Sequence, residues 1–134
     1  MTTQLSAIVF ATLVGVASAA AQTYPSRPIT MVAPYAAGGP TDTIARIMAE
    51  RMRVPLGQTI LVENTTGAAG TIGVARVARA VPDGYTIGIG HWGTHVVNPA
   101  IYTLQYDTLK DFEPVAMIAT NPQSWPRKRF RRKT

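Results

Sequence analysis

The sequence predicts an α/β fold, a βαβαβ unit around a mostly parallel sheet, and three observations carry that expectation. Short apolar runs recur at Ile29 to Ala33, Thr59 to Glu63 and Tyr85 to Ile89, each of strand length and each bounded by turn-forming residues. The stretches between them show helical spacing. Gly38-Gly39-Pro40, the Gly-rich segment Asn64 to Gly70 and Pro82-Asp83-Gly84 then punctuate the elements where the chain must turn.

Taken in order, the first strand is Ile29 to Ala33, with prolines on both sides. The Gly-Gly-Pro turn leads into a helix over Asp42 to Arg53, with Thr41 or Asp42 as its cap. Ile44, Ile47, Met48 and Met52 stand at core spacing, and Arg46, Glu50 and Arg53 face out. Thr59 to Glu63 is the second strand, Thr71 to Ala80 the second helix, and Tyr85 to Ile89 the third strand. Right-handed crossovers in a parallel sheet bring the loops that leave the strand ends to one edge. Those loops are Pro34 to Thr41, Asn64 to Thr71 and Gly90 to Asn98. The first runs into a helix start, which gathers unpaired N–H groups at the positive end of the macrodipole and suits a carboxylate without any basic side chain.

The two ends of the chain differ from this body. Leu5 to Val16 is apolar, and Ala17-Ser18-Ala19 and Ala19-Ala20-Ala21 are small-x-small sites, so residues 1–21 are expected to be a cleaved secretory signal peptide. About 12 apolar residues fall short of the ~20 that span a bilayer, so no stable membrane insertion is expected after cleavage. Of the 13 basic residues, six lie between Arg127 and Lys133, and residues 1–123 carry seven against seven acidic ones. The net charge of +6 therefore belongs to the tail. A nucleic-acid binder would spread basic and aromatic residues over a folded face; no nucleic-acid partner is expected for the body.

Several chemistries fail on inventory. Gly67, Gly70 and Gly73 are three apart, which is not GxGxxG, and no Lys-Ser or Lys-Thr follows Gly38-Gly39 to make a P-loop. These later glycines read as packing positions. His91 and His95 have a metal-ligand separation, yet they sit in a Gly-containing loop with no Glu between them and no cysteine in the chain; neither metal nor cofactor is expected. After residue 21 the serines are Ser26 and Ser124, which leaves a nucleophile-His-acid arrangement little but threonine to use. Asp42 reads as a cap rather than a catalytic acid, and Thr94 as a possible donor from the third loop.

Four blocks in order, YPSRPITMVAPYAAGGPTDTIAR, GQTILVENTTGAAGTIG, ARAVPDGYTIGIG and NPAIY with YDTLKDFEPVAMIA, resemble the Bug or TctC family, the periplasmic solute receptors of tripartite tricarboxylate transporters. The resemblance covers residues 24–121 and implies a carboxylate-binding receptor rather than an enzyme. It implies the first lobe of a two-lobed, type II-like periplasmic binding protein over residues 22–123, incomplete here, the full pattern being well over twice the length of this chain. It further implies that main-chain amides of Tyr35, Ala36, Ala37, Gly38 and Gly39 and the helix start at Asp42 hold a carboxylate, with Thr94 and His95 approaching from the third loop. Membrane permease subunits would be the protein partner, and the periplasm the compartment.

A lone lobe leaves an open sheet edge and uncovered apolar surface and, without an opposing wall, binds weakly at best. The resemblance gives way at about Ser124, so residues 124–134 are expected to be a disordered basic tail read out of frame; a second lobe encoded in the neighbouring downstream frame would establish this. The alternative is a secreted cationic protein whose Arg-rich tail binds nucleic acid or anionic membrane.

Overall fold

The computed structural model describes residues 23–120. The expected leader, residues 1–21, and the basic tail, residues 124–134, lie outside the described residues.

Three strands form one parallel sheet in the order β2-β1-β3. Strand β1 spans Ile29–Ala33, β2 Ile60–Asn64 and β3 Thr86–Gly88. Register runs from Ile29 opposite Ile60 to Ala33 opposite Asn64 on one side, and from Thr30 opposite Thr86 to Val32 opposite Gly88 on the other. Flanked by both neighbours, β1 is buried at every position but Thr30, which is why its run is almost continuously apolar.

Helix α1, Pro40–Leu56, connects β1 to β2, and α2, Thr71–Ala78, connects β2 to β3. They cover opposite faces. Ile29, Met31, Ala33, Ile60 and Ile89 pack with Ala45 and Ala49 of α1. On the other face α2 lies against β1 and β3, with Val77 resting on Gly88, where an added Cβ would stand 3.0 Å from it.

Helix α1 differs from the sequence expectation in two ways. Pro40 occupies the first turn, where its missing N–H costs nothing, and Gly57 at φ 64° ends the helix three residues past Arg53. Its buried face is Asp42, Ala45 and Ala49, while Ile44 and Ile47 are exposed. Small alanines let the helix axis approach the sheet, and Met48, Met52 and Leu56 fill the flanks; the isoleucines are turned outward by that approach.

Before β1 the chain is clasped to the turn that precedes β3. The Tyr24 hydroxyl donates to Gly84 O at 2.8 Å, the Ser26 amide donates to the Tyr85 hydroxyl at 2.9 Å, and Arg27 pairs with Asp83 at 3.0 Å. The Arg27 guanidinium also lies 4.0 Å from the centre of the Tyr85 ring.

After β3 a π-type turn over Gly93–Val97 leads into a short helix α3, Asn98–Ile101, where the sequence suggested open loop. From Tyr102 to Thr120 the backbone forms only turns and irregular structure. The apolar stretch FEPVAMIA forms no strand, and Val115 and Met117 are 88% and 81% exposed. A strand exists only as part of a ladder, and nothing pairs with this segment among the described residues.

Candidate functional site

The strand order reverses at β1: the chain moves outward to β2 and then crosses back to β3. The loops leaving β1 and β3 therefore lie side by side at the carboxyl ends of the strands, the switch point at whose crevice open α/β sheets receive ligands. Tyr35, after β1, and His91, after β3, meet there as a stacked pair with ring centres 5.1 Å apart and planes 13° from parallel. Burial raises the Tyr35 phenol and lowers the His91 imidazole relative to their ordinary ranges.

At the start of α1 the N-cap residue is Gly39, with no side-chain cap. Asp42 does cap, but from inside the first turn. Its carboxylate reaches back to accept the Gly38 N–H at 2.8 Å, and it also accepts Arg46 Nε at 3.0 Å and Asn64 Nδ2 at 3.0 Å. These donors, with Arg46 first, hold the Asp42 carboxyl down to about 2. The side chain is 4% exposed. Thr41 plays no capping part.

The Gly38 amide is thus taken by the chain's own carboxylate, and the Gly39 amide turns back to Ala36 O at 3.4 Å. The amides of Tyr35, Ala36, Ala37, Thr41 and Asp42 have no acceptor among the described residues. Arg46 neutralises Asp42 directly, so the five free donors are not facing an uncompensated negative charge.

Asn64, at the end of β2, joins the first two loops. Its Nδ2 donates to Tyr35 O at 3.0 Å as well as to Asp42, and its Oδ1 accepts Arg46 at 3.3 Å. Asn98 joins the second and third by donating to Ala69 O at 2.9 Å. Gly70 lies where all three meet: a Cβ there would be 2.9 Å from Thr94 Cγ2, 3.3 Å from Pro34 O and 3.3 Å from Tyr35 Cζ. The expectation that Gly70 serves packing agrees with this geometry.

Gly67, Ala68, Ala69 and Gly70 have φ of 116°, 45°, 55° and 89°, so the second loop makes a left-handed turn closed by the Gly70 amide on Gly67 O at 2.9 Å. Two alanines in that region store strain. Ala69→Gly is expected to stabilise the chain by about 1 kcal/mol, read from the urea midpoint; a loss of stability instead would show that the Ala69 methyl makes contacts worth more than the strain.

Thr94 is fully buried. Its hydroxyl accepts the His91 N–H at 3.1 Å and contacts His91 O at 3.0 Å and His95 Nδ1 at 2.9 Å. The hydroxyl has one proton, which goes either to that carbonyl or to His95 Nδ1, according to the His95 tautomer. Thr94 therefore builds the loop from within, and its side chain has no donor left to offer. His95 packs edge-on against Phe112 at 5.4 Å, and burial, with a smaller contribution from His91, lowers its basicity. Among the described residues no cluster of three His, Cys, Asp or Glu could hold a metal. Asn64 and Asn98, which no sequence motif marked, tie the site together with His91, which the sequence offered only as half of a metal-spaced pair; an Asn ending a strand pattern, where that residue is depleted, was the available signal for the first.

Comparison with known proteins places the chain among transport receptors. The description "Tripartite tricarboxylate transporter family receptor" matches residues 44–125. An Agrobacterium vitis protein, the UPF0065 protein in the TAR-I ttuE-ttuC' intergenic region, is 40% identical over 120 residues, covering 90% of this chain and 35% of its own. Among solved structures, the periplasmic binding protein BugD is 53% identical with a TM-score of 0.66 over 68% of this chain and 30% of its own. MatC from Rhodopseudomonas palustris with bound malate is 49% identical with a TM-score of 0.67 over 69% of this chain and 32% of its own. The chain spans about a third of the length of these relatives.

Proposed function

Because the chain belongs to the tripartite tricarboxylate transporter receptor family, whose members are solute-binding receptors rather than enzymes, we propose that residues 23–120 form one wall of a cleft for small carboxylates. The observation that carries this reading is the group of free amides at Tyr35, Ala36, Ala37, Thr41 and Asp42, gathered at the positive end of a 17-residue helix and at the switch in strand order. An anion held there needs no basic side chain. Gly38 and Gly39 shape the turn, and Thr94 and His95 hold the third loop in place.

Malate, the ligand bound to the similar MatC, is of the chemistry this wall suits. The same reading makes permease subunits the partner and the periplasm the compartment, with a leader removed after Ala21; intact mass of the exported chain, starting at Gln22, checks the last point. Among the described residues no helix is long and apolar enough to cross a membrane.

Malate titration of the ¹⁵N-labelled chain followed by amide NMR tests the site. Resonances of residues 35–39, 41 and 42 are expected to move with millimolar affinity, since a single wall does not enclose the ligand. Unmoved amides at saturating malate would remove the reading.

A further inference from the structure

The third loop carries a donor that the free amides do not account for. His91 Nδ1 accepts the Gly93 N–H at 2.9 Å, so that nitrogen bears a lone pair and the proton of the neutral ring resides on Nε2. Burial, which lowers the basicity of His91, acts in the same direction. The ring plane is held by Tyr35 stacked beneath it, and the His91 main chain is pinned on both its amide and its carbonyl by Thr94. Nε2–H has no acceptor among the described residues. His95 is arranged differently: its Nδ1 is engaged by Thr94, and its ring is packed on Phe112.

We propose that His91, rather than His95, is the ligand-facing histidine of the cleft, a neutral ring fixed in orientation and in tautomer so that Nε2–H donates to a ligand carboxylate oxygen across the crevice from the amides after β1. The proposal rests on the carboxylate-receptor reading and adds to it a side-chain donor from the opposite side of the switch point. Two donors of different kind on the two sides of one crevice would select ligands whose oxygens span it. Tyr35, stacked on His91 and bonded weakly through its hydroxyl to Ala69 O at 3.4 Å, is then a positioning residue for the ring.

Long-range ¹H–¹⁵N spectra of the labelled chain read both imidazoles directly. Without ligand, His91 is expected to show a protonated Nε2 and an unprotonated Nδ1. On adding malate the His91 Nε2 resonance should move along the same isotherm as the amides of residues 35–39, while the His95 ring stays still. His91→Phe, which keeps a stacking ring but removes the donor, is expected to weaken malate binding at least ten-fold, the usual size of a hydrogen bond to a charged group. If the amides move and the His91 ring does not, or if His91→Phe binds as the parent does, the proposal is wrong and the carboxylate wall stands. If neither amides nor ring respond, both are wrong. Should His91→Phe fail to fold, the ring titration of the parent chain decides alone.

Discussion

Gly70→Val is expected to destabilise the chain by about 3 kcal/mol, and to do so by separating the three loops rather than by opening the sheet core. Two costs add. The residue sits at φ 89°, where a β-branched side chain loses about 1–2 kcal/mol. Its first carbon would also lie 2.9 Å from Thr94 Cγ2 and 3.3 Å from both Pro34 O and Tyr35 Cζ, and overpacking of this kind costs about 1–3 kcal/mol. None of the three neighbours yields easily: Thr94 is fully buried and bonded to its own loop, Pro34 is fixed by its ring, and Tyr35 is stacked on His91. For a chain of this size the thermal midpoint should fall by roughly 10 °C or more. A fall of only a degree or two would mean that the loops can shift apart freely, and the convergence described above would then not be a rigid feature.

Asp42→Ala is the second large effect. The carboxylate is almost completely buried and satisfies three donors, the Gly38 amide, Arg46 and Asn64. Alanine would leave a guanidinium without its counter-charge, the Gly38 amide without an acceptor and Asn64 with Tyr35 O alone, losses that fall among the severe classes of substitution. Asn64 would be freed to turn away from Tyr35 O, so the first loop should also become mobile; faster hydrogen exchange at the Gly39 amide, which turns back to Ala36 O, reads this separately from global stability.

The pH dependence of the parent chain has a definite sign. The Asp42 carboxyl is lowered from 3.8 to about 2 in the folded state, so its contribution is fully present above pH 4 and is lost as pH falls through about 2. In Asp42→Ala that part of the acid dependence should vanish. Equal acid sensitivity in parent and variant would assign the loss to other carboxylates.

The strands, the helices between them and the convergence of three loops were legible because each rests on local signals: apolar runs of strand length, helical spacing, and Gly or Pro at the turns. The rotation of α1 was not. Ile44 and Ile47 fit a helical apolar stripe as well as Ala45 and Ala49 do, and only the close approach of helix to sheet decides for the alanines. The stretch FEPVAMIA shows the same dependence on tertiary context, since Val115 and Met117 have strand-like surroundings in sequence but no ladder to join. At the site, the first loop was readable from Gly-Gly-Pro before a helix, yet the diversion of the Gly38 amide to Asp42 depends on Asn64, 22 residues away. The tautomer of His91 depends on an amide two residues on, and its orientation on a ring from another loop.

The N-terminal clasp bears on when this fold can form as the chain appears vectorially, first residue first. Tyr24 and Ser26 find their partners 60 and 59 residues later, and β1, the middle strand, precedes both strands that flank it. Until Tyr85 and Thr86 have emerged, β1 can have at most one neighbour, and the arm ahead of it has none of the partners in its clasp. Loop closure over such separations is what makes non-local sheets slow to assemble. A membrane translocation channel or a ribosome exit would therefore hold an extended, unclasped N-terminal arm through most of the chain's passage, open to proteases and holding chaperones, and the arrival of a single turn, Asp83 to Tyr85, would close it.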